Sequence, residues 1–189
     1  MRLWTRWISL GVSAACFSWA GWFWLDQSLH QAAADELFRV AAAVPGVVED
    51  QKASPVAKLE IPRLGVSGYV KAGLDATTLR QAIGHSPYSA QPGEKGNVVL
   101  AAHRDTFFAG LQYAQIGDIV TLHAANGKKF LYQVSKVFVV NPTDTWVMRS
   151  TPGRSLLTMI TCYPFQFVGS APNRLVVQAQ PIMMASKLI

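Results

Sequence analysis

The feature that most limits the fold is a succession of short apolar segments, separated by turn residues, that runs from Ala57 to Gln180. The segments are rich in β-branched and aromatic residues and are bounded by Gly, Pro, Asn or Asp, which is the pattern of β-strands. AKLEIP and GVSGYV predict a first hairpin, and Asn126-Gly127 predicts a tight turn between two later strands. About eight such segments with little helix predict a mainly β fold, closed into a barrel.

Shorter sequence patterns predict the secondary structure of the rest of this region. The stretch Asp75–Ile83 is predicted to form a short helix, because it has no Gly or Pro and begins with Asp75, which can cap a helix. The next segment, AIGHSPYS, is predicted to be a loop. The turn cluster Gln91–Asn97 precedes the apolar strand VVLAAH, and SLLTMITC and RLVVQAQ supply the last two strands.

An uncharged segment near the N-terminus predicts a membrane anchor. Ile8–Leu25 gives 18 residues without charge, close to the ~20 that a helix needs to cross a bilayer. Tryptophans lie near both ends, and Arg2 and Arg6 come before it, which predicts a single pass through the plasma (inner) membrane with a cytoplasmic N-terminus and an extracytoplasmic body. A cleaved signal peptide is the alternative, although no clear small-x-small cleavage site precedes Asp26.

The composition divides the chain into four parts. Residues 1–25 form the cytoplasmic tip and transmembrane anchor, and residues 26–56 form an alanine-rich helical stalk and a linker. Residues 57–181 form the predicted β-barrel domain, and residues 182–189 a C-terminal tail.

The net charge of +6 and the pI of about 9.6 do not predict nucleic-acid binding. Lys and Arg are scattered, with no run longer than Lys128-Lys129, and neither aromatic-basic interleaving nor zinc-ligand spacing is present. A positive surface facing an anionic cell envelope explains the charge balance.

The cysteines indicate a reactive site. Of the 2 in the chain, Cys16 lies in the predicted anchor, so Cys162, in LLTMITCYPFQF, has no partner for a disulfide. An unpaired cysteine in an exported domain either forms an intermolecular disulfide or stays a free thiol. A free thiol kept in an oxidising compartment indicates a reactive nucleophile. The structural alternative is a small buried hydrophobic residue.

A cysteine nucleophile needs a nearby base, and the chain has 4 histidines. His30 lies in the stalk, and His123 lies in a strand next to a turn, where a half-exposed sheet position is expected. His103 ends the apolar strand NVVLAA and opens the polar segment HRDTFF, the same kind of strand-end position that Cys162 occupies. His103 is therefore the first candidate and His85 the second.

Arg174 opens the last predicted strand, after GSAPN. Its fixed charge and forked donors suit an oxyanion or a backbone carbonyl. A solvated arginine at a strand end is the alternative, and spacing alone favours it. Arg104 and Asp105 are competing candidates for an orienting role.

Together these residues resemble the sortase family of membrane-anchored cysteine transpeptidases. That family shows a Thr-Leu-x-Thr-Cys strand end, an upstream histidine, and an arginine about a dozen residues after the cysteine. Here TMITC ends at Cys162, with Met159 in place of leucine, and Arg174 follows 12 positions later. NVVLAAHRDTFF supplies the histidine, with Ala102 in place of the usual glycine. With GHSPYSAQPGEKGNVV, the similarity spans Lys58 to Gln180.

The resemblance implies an eight-stranded sortase barrel and a site of Cys162, His103 and Arg174. Cys162 would attack a backbone carbonyl in a sorting signal near the C-terminus of a substrate protein and form a thioester. His103 would protonate the departing amine and then deprotonate the incoming one, while Arg174 would hold the carbonyl oxygen or the signal's backbone. Thr161 and Ala102 are expected to contact the substrate, and no cofactor is implied.

The resemblance also implies the partners, which are an exported protein with an LPxTG-like C-terminal signal and an amine acceptor on the cell wall or another protein. The class D type, including its proteobacterial relatives, fits best. PGVVEDQKASPVA has no aromatic residue for the lid of pilus-building members, and the stretch between Val140 and Ser155 is too short for a long helical insertion. Some relatives bind calcium, but no metal is expected here because the acids are dispersed: Glu60, Asp75, Glu94, Asp105, Asp118 and Asp144.

Two other functions are open to this sequence. A cysteine L,D-transpeptidase acting on the cell wall would show Ser-x-Gly-Cys, where this chain has Ile160-Thr161-Cys162. A membrane-tethered β-barrel binding module with a degenerate site would bind a peptide without capturing it covalently. The presence of all three candidate residues argues against this second alternative.

Overall fold

The structure is a computed structural model that describes residue 13, residues 16–22, residue 25 and residues 55–182. Residues 16–22 are helical, but most of the predicted anchor and the predicted stalk before residue 55 lie outside the described residues, as does His30. No helix among the described residues combines the length and hydropathy needed to cross a bilayer. The anchor and its orientation stay predictions.

Within residues 55–182, eight strands close into a barrel, which confirms the predicted mainly β architecture. In chain order they are β1 (Pro55–Ile61), β2 (Val66–Ala72), β3 (Ile83–His85), β4 (Gly96–Ala101), β5 (Ile119–Ala124), β6 (Lys129–Val140), β7 (Ser155–Tyr163) and β8 (Asn173–Pro181). Around the barrel the order is β1-β2-β3-β4-β7-β8-β6-β5, and β5 pairs back with β1. The β2–β3 and β4–β7 pairs are parallel, and the other pairs are antiparallel.

Helical structure in this region is confined to short connections. The α-helix α1 (Ala76–Gln81) joins β2 to β3, and 3₁₀ turns cover Pro62–Leu64, Ala109–Tyr113 and Thr145–Met148. The last of these lies in the β6–β7 loop (residues 141–154), which therefore carries one short turn and no long helix.

Two local predictions are confirmed. The Asp75 carboxylate accepts hydrogen bonds from the backbone N–H groups of Thr77 and Thr78 and so caps α1. Gly127, in the turn between β5 and β6, takes a φ of 78°. Because glycine has no Cβ, it adopts this left-handed conformation without steric penalty, and the hairpin turns there as predicted.

One strand is missing from the sequence analysis. Where a helix end and a loop are predicted, β3 pairs in parallel with β2 and antiparallel with β4. The helix ends early because the backbone is already extended at Ala82, with φ −155° and ψ 173°. All three residues of β3 are buried, so no alternation of apolar and polar residues marks the strand in the sequence.

The core fills the barrel interior. Successive strand residues point alternately inward and outward, and the inward set is aliphatic or aromatic and buried, as at Leu59, Leu122 and Tyr132. Each fully buried large apolar side chain contributes about 1.5–3 kcal/mol. The interior therefore stabilises the fold, and the exterior carries the candidate functional residues Cys162 and Arg174.

The exterior of β4, β7 and β8, which are neighbours in the barrel, is called the site face below. The inward residues of these strands belong to the core: Val98, Leu100, Leu157, Met159, Leu175, Val177 and Ala179. By strand alternation, Cys162 and Arg174 point to the exterior, and so does His103 if the alternation of β4 continues past its end.

Candidate active site

Cys162 is the penultimate residue of β7, and Pro164 follows the strand directly. Proline has no N–H to donate to a sheet ladder, so the strand ends just beyond the cysteine. The residue is partly buried and its thiol is free. An apolar strand therefore carries the thiol to one end of the barrel, as the sequence predicts.

Arg174, the second residue of β8, pairs directly with Cys162. Opposed residues of an antiparallel pair share a face, with Cβ atoms ~5 Å apart. Its Nη1 donates to the carbonyl oxygens of Ala171 at 3.1 Å and Asn173 at 2.9 Å. No carboxylate among the described residues forms an ion pair with it, so its charge is not neutralised on the site face.

His103 follows β4 on the other side of β7. The parallel register pairs Ala101 with Ile160, and the N–H of Ala102 donates to the Ile160 carbonyl at 3.3 Å. Continuing both strands by two positions brings His103 level with Cys162. The three candidate catalytic residues thus lie at neighbouring strand ends on one face of the barrel.

Thr161 and Ala102 are both buried, with 2% and 6% of their surface exposed. The Thr161 hydroxyl donates to the Ala102 carbonyl at 2.8 Å. This hydrogen bond keeps the chain beside β7 beyond the end of β4. It therefore aligns the residues that follow, Cys162 and His103. The expectation that the two residues contact the substrate stays a prediction.

Arg104 ties the β7–β8 loop (residues 164–172) to the segment that carries His103. Its Nη1 donates to the Pro164 carbonyl at 2.8 Å, and its Nη2 donates to the Phe167 carbonyl at 2.6 Å. A guanidinium that spans two carbonyls restrains the loop. Of the two competing candidates for an orienting role, Arg104 makes these contacts, whereas Asp105 is exposed.

Two other histidines have partners elsewhere in the barrel wall. His85 lies in β3, not in the predicted loop, and is 1% exposed; its Nε2 is 2.9 Å from the Ala90 carbonyl and 3.1 Å from the Ser89 hydroxyl. It is therefore a buried, hydrogen-bonded residue. His123 is half-exposed in β5, as predicted, with its Nε2 3.2 Å from Glu60 Oε2.

Two of the dispersed acidic residues form ion pairs with basic side chains. Arg63 donates to both carboxylate oxygens of Asp118, and this lowers the pKa of that carboxyl group. A hydrogen bond from Lys58 is the main cause that lowers the pKa of Glu60. Among the described residues, no three His, Cys, Asp or Glu side chains cluster in a way that could hold a metal ion.

A comparison with protein families finds a match that spans the barrel. The family model described as the Sortase domain matches residues 59–182, a range that includes His103, Cys162 and Arg174. The chain belongs to the sortase family. Members of this family are cysteine transpeptidases.

Two curated relatives are sortases by name. Sortase D of Bacillus subtilis (strain 168) is 34% identical over 124 residues, which cover 66% of this chain and 62% of that protein. Sortase A of Streptococcus agalactiae serotype III (strain NEM316) is 27% identical over 130 residues, or 65% of this chain and 51% of that one. The chain thus spans 62% and 51% of the lengths of these relatives.

A solved structure of the Clostridium perfringens Sortase D5 transpeptidase shares the fold of this sortase. The TM-score is 0.70 at 24% identity, and the match covers 82% of this chain and 98% of that one.

One residue that shapes the site face of this sortase is not among those predicted from the sequence. Asn97, in β4, is 2% exposed, and its Nδ2 donates to the carbonyls of Val147 at 3.0 Å and Arg149 at 3.1 Å. The Thr158 hydroxyl donates to Asn97 Oδ1 at 2.7 Å. Asn97 therefore anchors the β6–β7 loop on the site face. Its only signal in the sequence is a lone amide ahead of an apolar run.

Proposed function

We propose that this sortase is a cysteine transpeptidase that cleaves a C-terminal sorting signal of exported proteins and transfers the acyl group to an amine. The observation that carries the proposal is the pairing of Cys162 with Arg174, next to the strand that leads to His103. A thiol, a proton carrier and a fixed cation on one face are the groups that acyl transfer through a thioester requires.

In the first step, the Cys162 thiolate attacks the carbonyl carbon of the scissile peptide bond and forms a tetrahedral oxyanion. As the oxyanion collapses, the C–N bond breaks and the His103 imidazolium gives its proton to the departing amine. The C–S bond remains, so the acyl part of the substrate is held on Cys162 as a thioester.

In the second step, the acceptor amine attacks the thioester carbonyl and the C–S bond breaks. The sulfur leaves as a thiolate, and the amine gives up its proton to His103. Both groups return to their starting states, and a new amide bond has replaced the old one. A transpeptidase must favour the amine over abundant water, and a site that excludes water once the acceptor is bound would assist this.

Arg174 stabilises the negative oxygen that forms in both steps, or holds the backbone of the signal. Its Nη1 is already bonded to two backbone carbonyls, so the guanidinium needs little reorganisation when charge develops. Contact of Thr161 and Ala102 with the substrate is part of the proposal; both residues are buried, and each directly precedes a candidate catalytic residue, Cys162 or His103.

The proposed donor is an exported protein with an LPxTG-like C-terminal signal, and the proposed acceptor is an amine on the cell wall or on another protein. The reaction would take place on the outer side of the plasma (inner) membrane, with residues 8–25 as the anchor. Similarity to Sortase D of Bacillus subtilis supports a class D type.

The test uses the full chain in detergent with a peptide that contains a Leu-Pro-Asn-Thr-Gly core, and hydroxylamine as the amine. The wild type should release the C-terminal fragment and form the acyl hydroxamate, and Cys162→Ala should do neither while it keeps the thermal unfolding midpoint. A peptidyl probe that reacts with thiols should label the wild type at Cys162. Cleavage by Cys162→Ala at the wild-type rate contradicts the proposal, and peptide binding without labelling favours the binding module.

A further inference from the structure

Two cavities lie side by side on the exterior of the barrel. The larger, called the basic cavity, has a volume of about 750 Å³ and forms where the β6–β7 loop stands over β6, β7 and β8. The smaller, called the apolar cavity, has a volume of about 440 Å³ and lies against β6. Because the two cavities have walls in common, one ligand can contact both. The four shared lining residues are Ser135, Lys136, Trp146 and Gln178.

Buried residues separate the basic cavity from Cys162. Along the exterior of β7 and β8, Thr158 and Val176 come between them, and both are 0% exposed. The occupant of the basic cavity is therefore not the peptide held at Cys162. It must be a ligand that the two cavities recognise through their own linings.

Three basic residues line the basic cavity: Lys136 from β6, and Arg149 and Arg154 from the β6–β7 loop. Neither cavity is lined by Asp or Glu, and in the described part of the chain none of the three basic residues forms an ion pair. Like charges around one concave surface repel one another and attract an anion. The basic cavity is therefore suited to a ligand group with negative charge.

Most hydroxyl groups of this lining are already hydrogen-bonded. Those of Ser135, Thr151 and Ser155 donate to backbone carbonyls at 3.2, 3.0 and 3.2 Å. The three basic side chains make no hydrogen bond to another described residue, so they supply the main free donors. Guanidinium forks match the oxygens of a phosphate group, and an ammonium group adds a further charge.

Backbone contacts fix the two arginines at the basic cavity. Asn97 donates to the carbonyl of Arg149, and the N–H of Gly96 donates to the carbonyl of Arg154 at 3.0 Å. The β6–β7 loop thus meets β4 at two points, and the arginine side chains start from defined positions.

The apolar cavity has exposed apolar walls. Val137 and Phe138 line it from β6, Trp146 lines it from the β6–β7 loop, and Ile116 lines it from the segment before β5. Trp146 stacks on Phe138 with ring centroids 5.8 Å apart and is still 50% exposed, and Ile116 is 74% exposed. Exposed tryptophan and aliphatic side chains next to basic ones are typical of protein surfaces that lie in the interfacial region of a membrane.

The basic cavity reaches the end of the barrel at which the described chain enters. The strand directions put the start of β1, at Pro55, at the same end as the start of β7 and the end of β8. Ser155 and Pro181, at those two strand ends, line the basic cavity, whereas Cys162 lies toward the other end. The predicted anchor, residues 8–25, precedes Pro55, so this end of the barrel is the one expected to face the membrane.

We propose that the two cavities bind one anionic phospholipid, with its phosphate in the basic cavity and part of an acyl chain in the apolar cavity. A binding site for an anion that shares its walls with an apolar one fits an amphiphile with a charged head group. The bound lipid holds this end of the barrel at the membrane surface. The inference goes beyond the proposed transpeptidase and requires none of its chemistry.

Photoreactive lipids test the inference with the full chain in phosphatidylcholine vesicles. Probes of phosphatidylglycerol and phosphatidylcholine carry the same diazirine on an acyl chain, and mass spectrometry maps the labelled peptides. We expect phosphatidylglycerol to label residues of the apolar cavity about 5-fold more than phosphatidylcholine, which is the effect of about one cation on an anionic head group. This ratio should approach one in about 0.5 M salt, because salt screens exposed charges.

Substitutions assign the preference to the two cavities. Arg149→Ala/Arg154→Ala should bring the labelling ratio to about one. Lys128→Ala/Lys129→Ala is the matched control, because it removes two exposed cations at the same end of the barrel but outside both linings, and it should keep the wild-type ratio. Trp146→Glu, which puts an acid in the shared wall, should lower labelling by phosphatidylglycerol, and Trp146→Phe should keep it.

Further measurements separate the lipid from other occupants and from the proposed chemistry. Millimolar sn-glycerol 3-phosphate should leave the labelling as it is in sodium chloride of the same ionic strength; loss of labelling would assign the basic cavity to a soluble phosphate and overturn the inference. Equal labelling by the two lipids, labelling confined to residues 8–25, or a preference that survives Arg149→Ala/Arg154→Ala also overturns it. Cys162→Ala should keep the wild-type ratio, so a chain that shows the preference but cleaves no peptide supports the lipid site and contradicts the transpeptidase alone.

Discussion

Cys162 and Arg174 stand directly opposite each other in the β7–β8 pair, although the β7–β8 loop separates them in the sequence. Antiparallel partners share a face, so the thiol and the guanidinium meet a bound peptide from the same side. The parallel pairing of β4 with β7 adds His103 on the other flank of the cysteine. These two pairings are the structural basis of the predictions below.

Cys162→Ser should lower kcat/KM for transfer to hydroxylamine by at least ~10³, because the hydroxyl group is a far weaker nucleophile than a thiolate. The free energy of unfolding should change by less than about 1 kcal/mol, since the residue is only partly buried at a strand end. Peptide kinetics and urea denaturation check the two parts. Activity within a few-fold of wild type would remove Cys162 from the nucleophile role.

Arg174→Ala should lower kcat by about 10²–10³, which is the effect of losing one donor to a transition-state oxyanion. Arg174→Lys should recover only part of this, because an ammonium group keeps the charge without the planar fork. Arg80→Ala, an exposed arginine on α1, is the matched control. The assignment fails if Arg174→Ala raises KM and leaves kcat unchanged, since that pattern indicates uniform binding.

Arg104→Ala should loosen the β7–β8 loop, because it removes the donors to the carbonyls of Pro164 and Phe167. Amide hydrogen exchange of residues 165–171 should become faster, and kcat/KM should fall about 10-fold as the loop no longer holds Arg174 in place. Arg104→Lys keeps one donor group and should give an intermediate exchange rate. Unchanged exchange in Arg104→Ala would show that the loop is held by other contacts.

Asn97→Ala should lower the free energy of unfolding by about 2–3 kcal/mol, because it leaves the buried Thr158 hydroxyl and the Val147 carbonyl without their partner. Urea denaturation measures this change. Gln112→Ala is the control, since Gln112 is exposed and bonds only a local carbonyl. If both variants lower the free energy of unfolding by a similar small amount, Asn97 is not the anchor of the β6–β7 loop.

Asp118→Asn should lower stability at neutral pH and alter its dependence on pH. The hydrogen bond from Arg63 lowers the pKa of the folded carboxyl group below the unfolded value of ~3.9. The contact therefore stabilises the fold above pH ~4, and this contribution is lost as the pH falls through the folded pKa. The gap in free energy of unfolding between wild type and variant should narrow below pH ~4. Urea denaturation over this range checks it, and Arg63→Gln should give the same narrowing.

The predictable parts of the fold are those that local patterns encode. Alternation marks β1 and β8, a cap marks α1, and Asn126-Gly127 marks the β5–β6 turn. The strand β3 escapes prediction because its three residues are all buried and show no alternation. His85 illustrates the consequence: a loop position was predicted, and the residue lies buried in a strand that exists only through pairing with β2 and β4.

The sequence by itself determined that the chain is a mainly β barrel of the sortase family, and it singled out His103, Cys162 and Arg174, because strand ends and motifs are local properties. Only the tertiary structure decided which residues support them. The bond from Arg104 to Phe167 joins positions 63 apart, and that from Asn97 to Arg149 joins positions 52 apart. Contacts over such separations arise from strand pairing and loop docking, and no short-range pattern of residues encodes them.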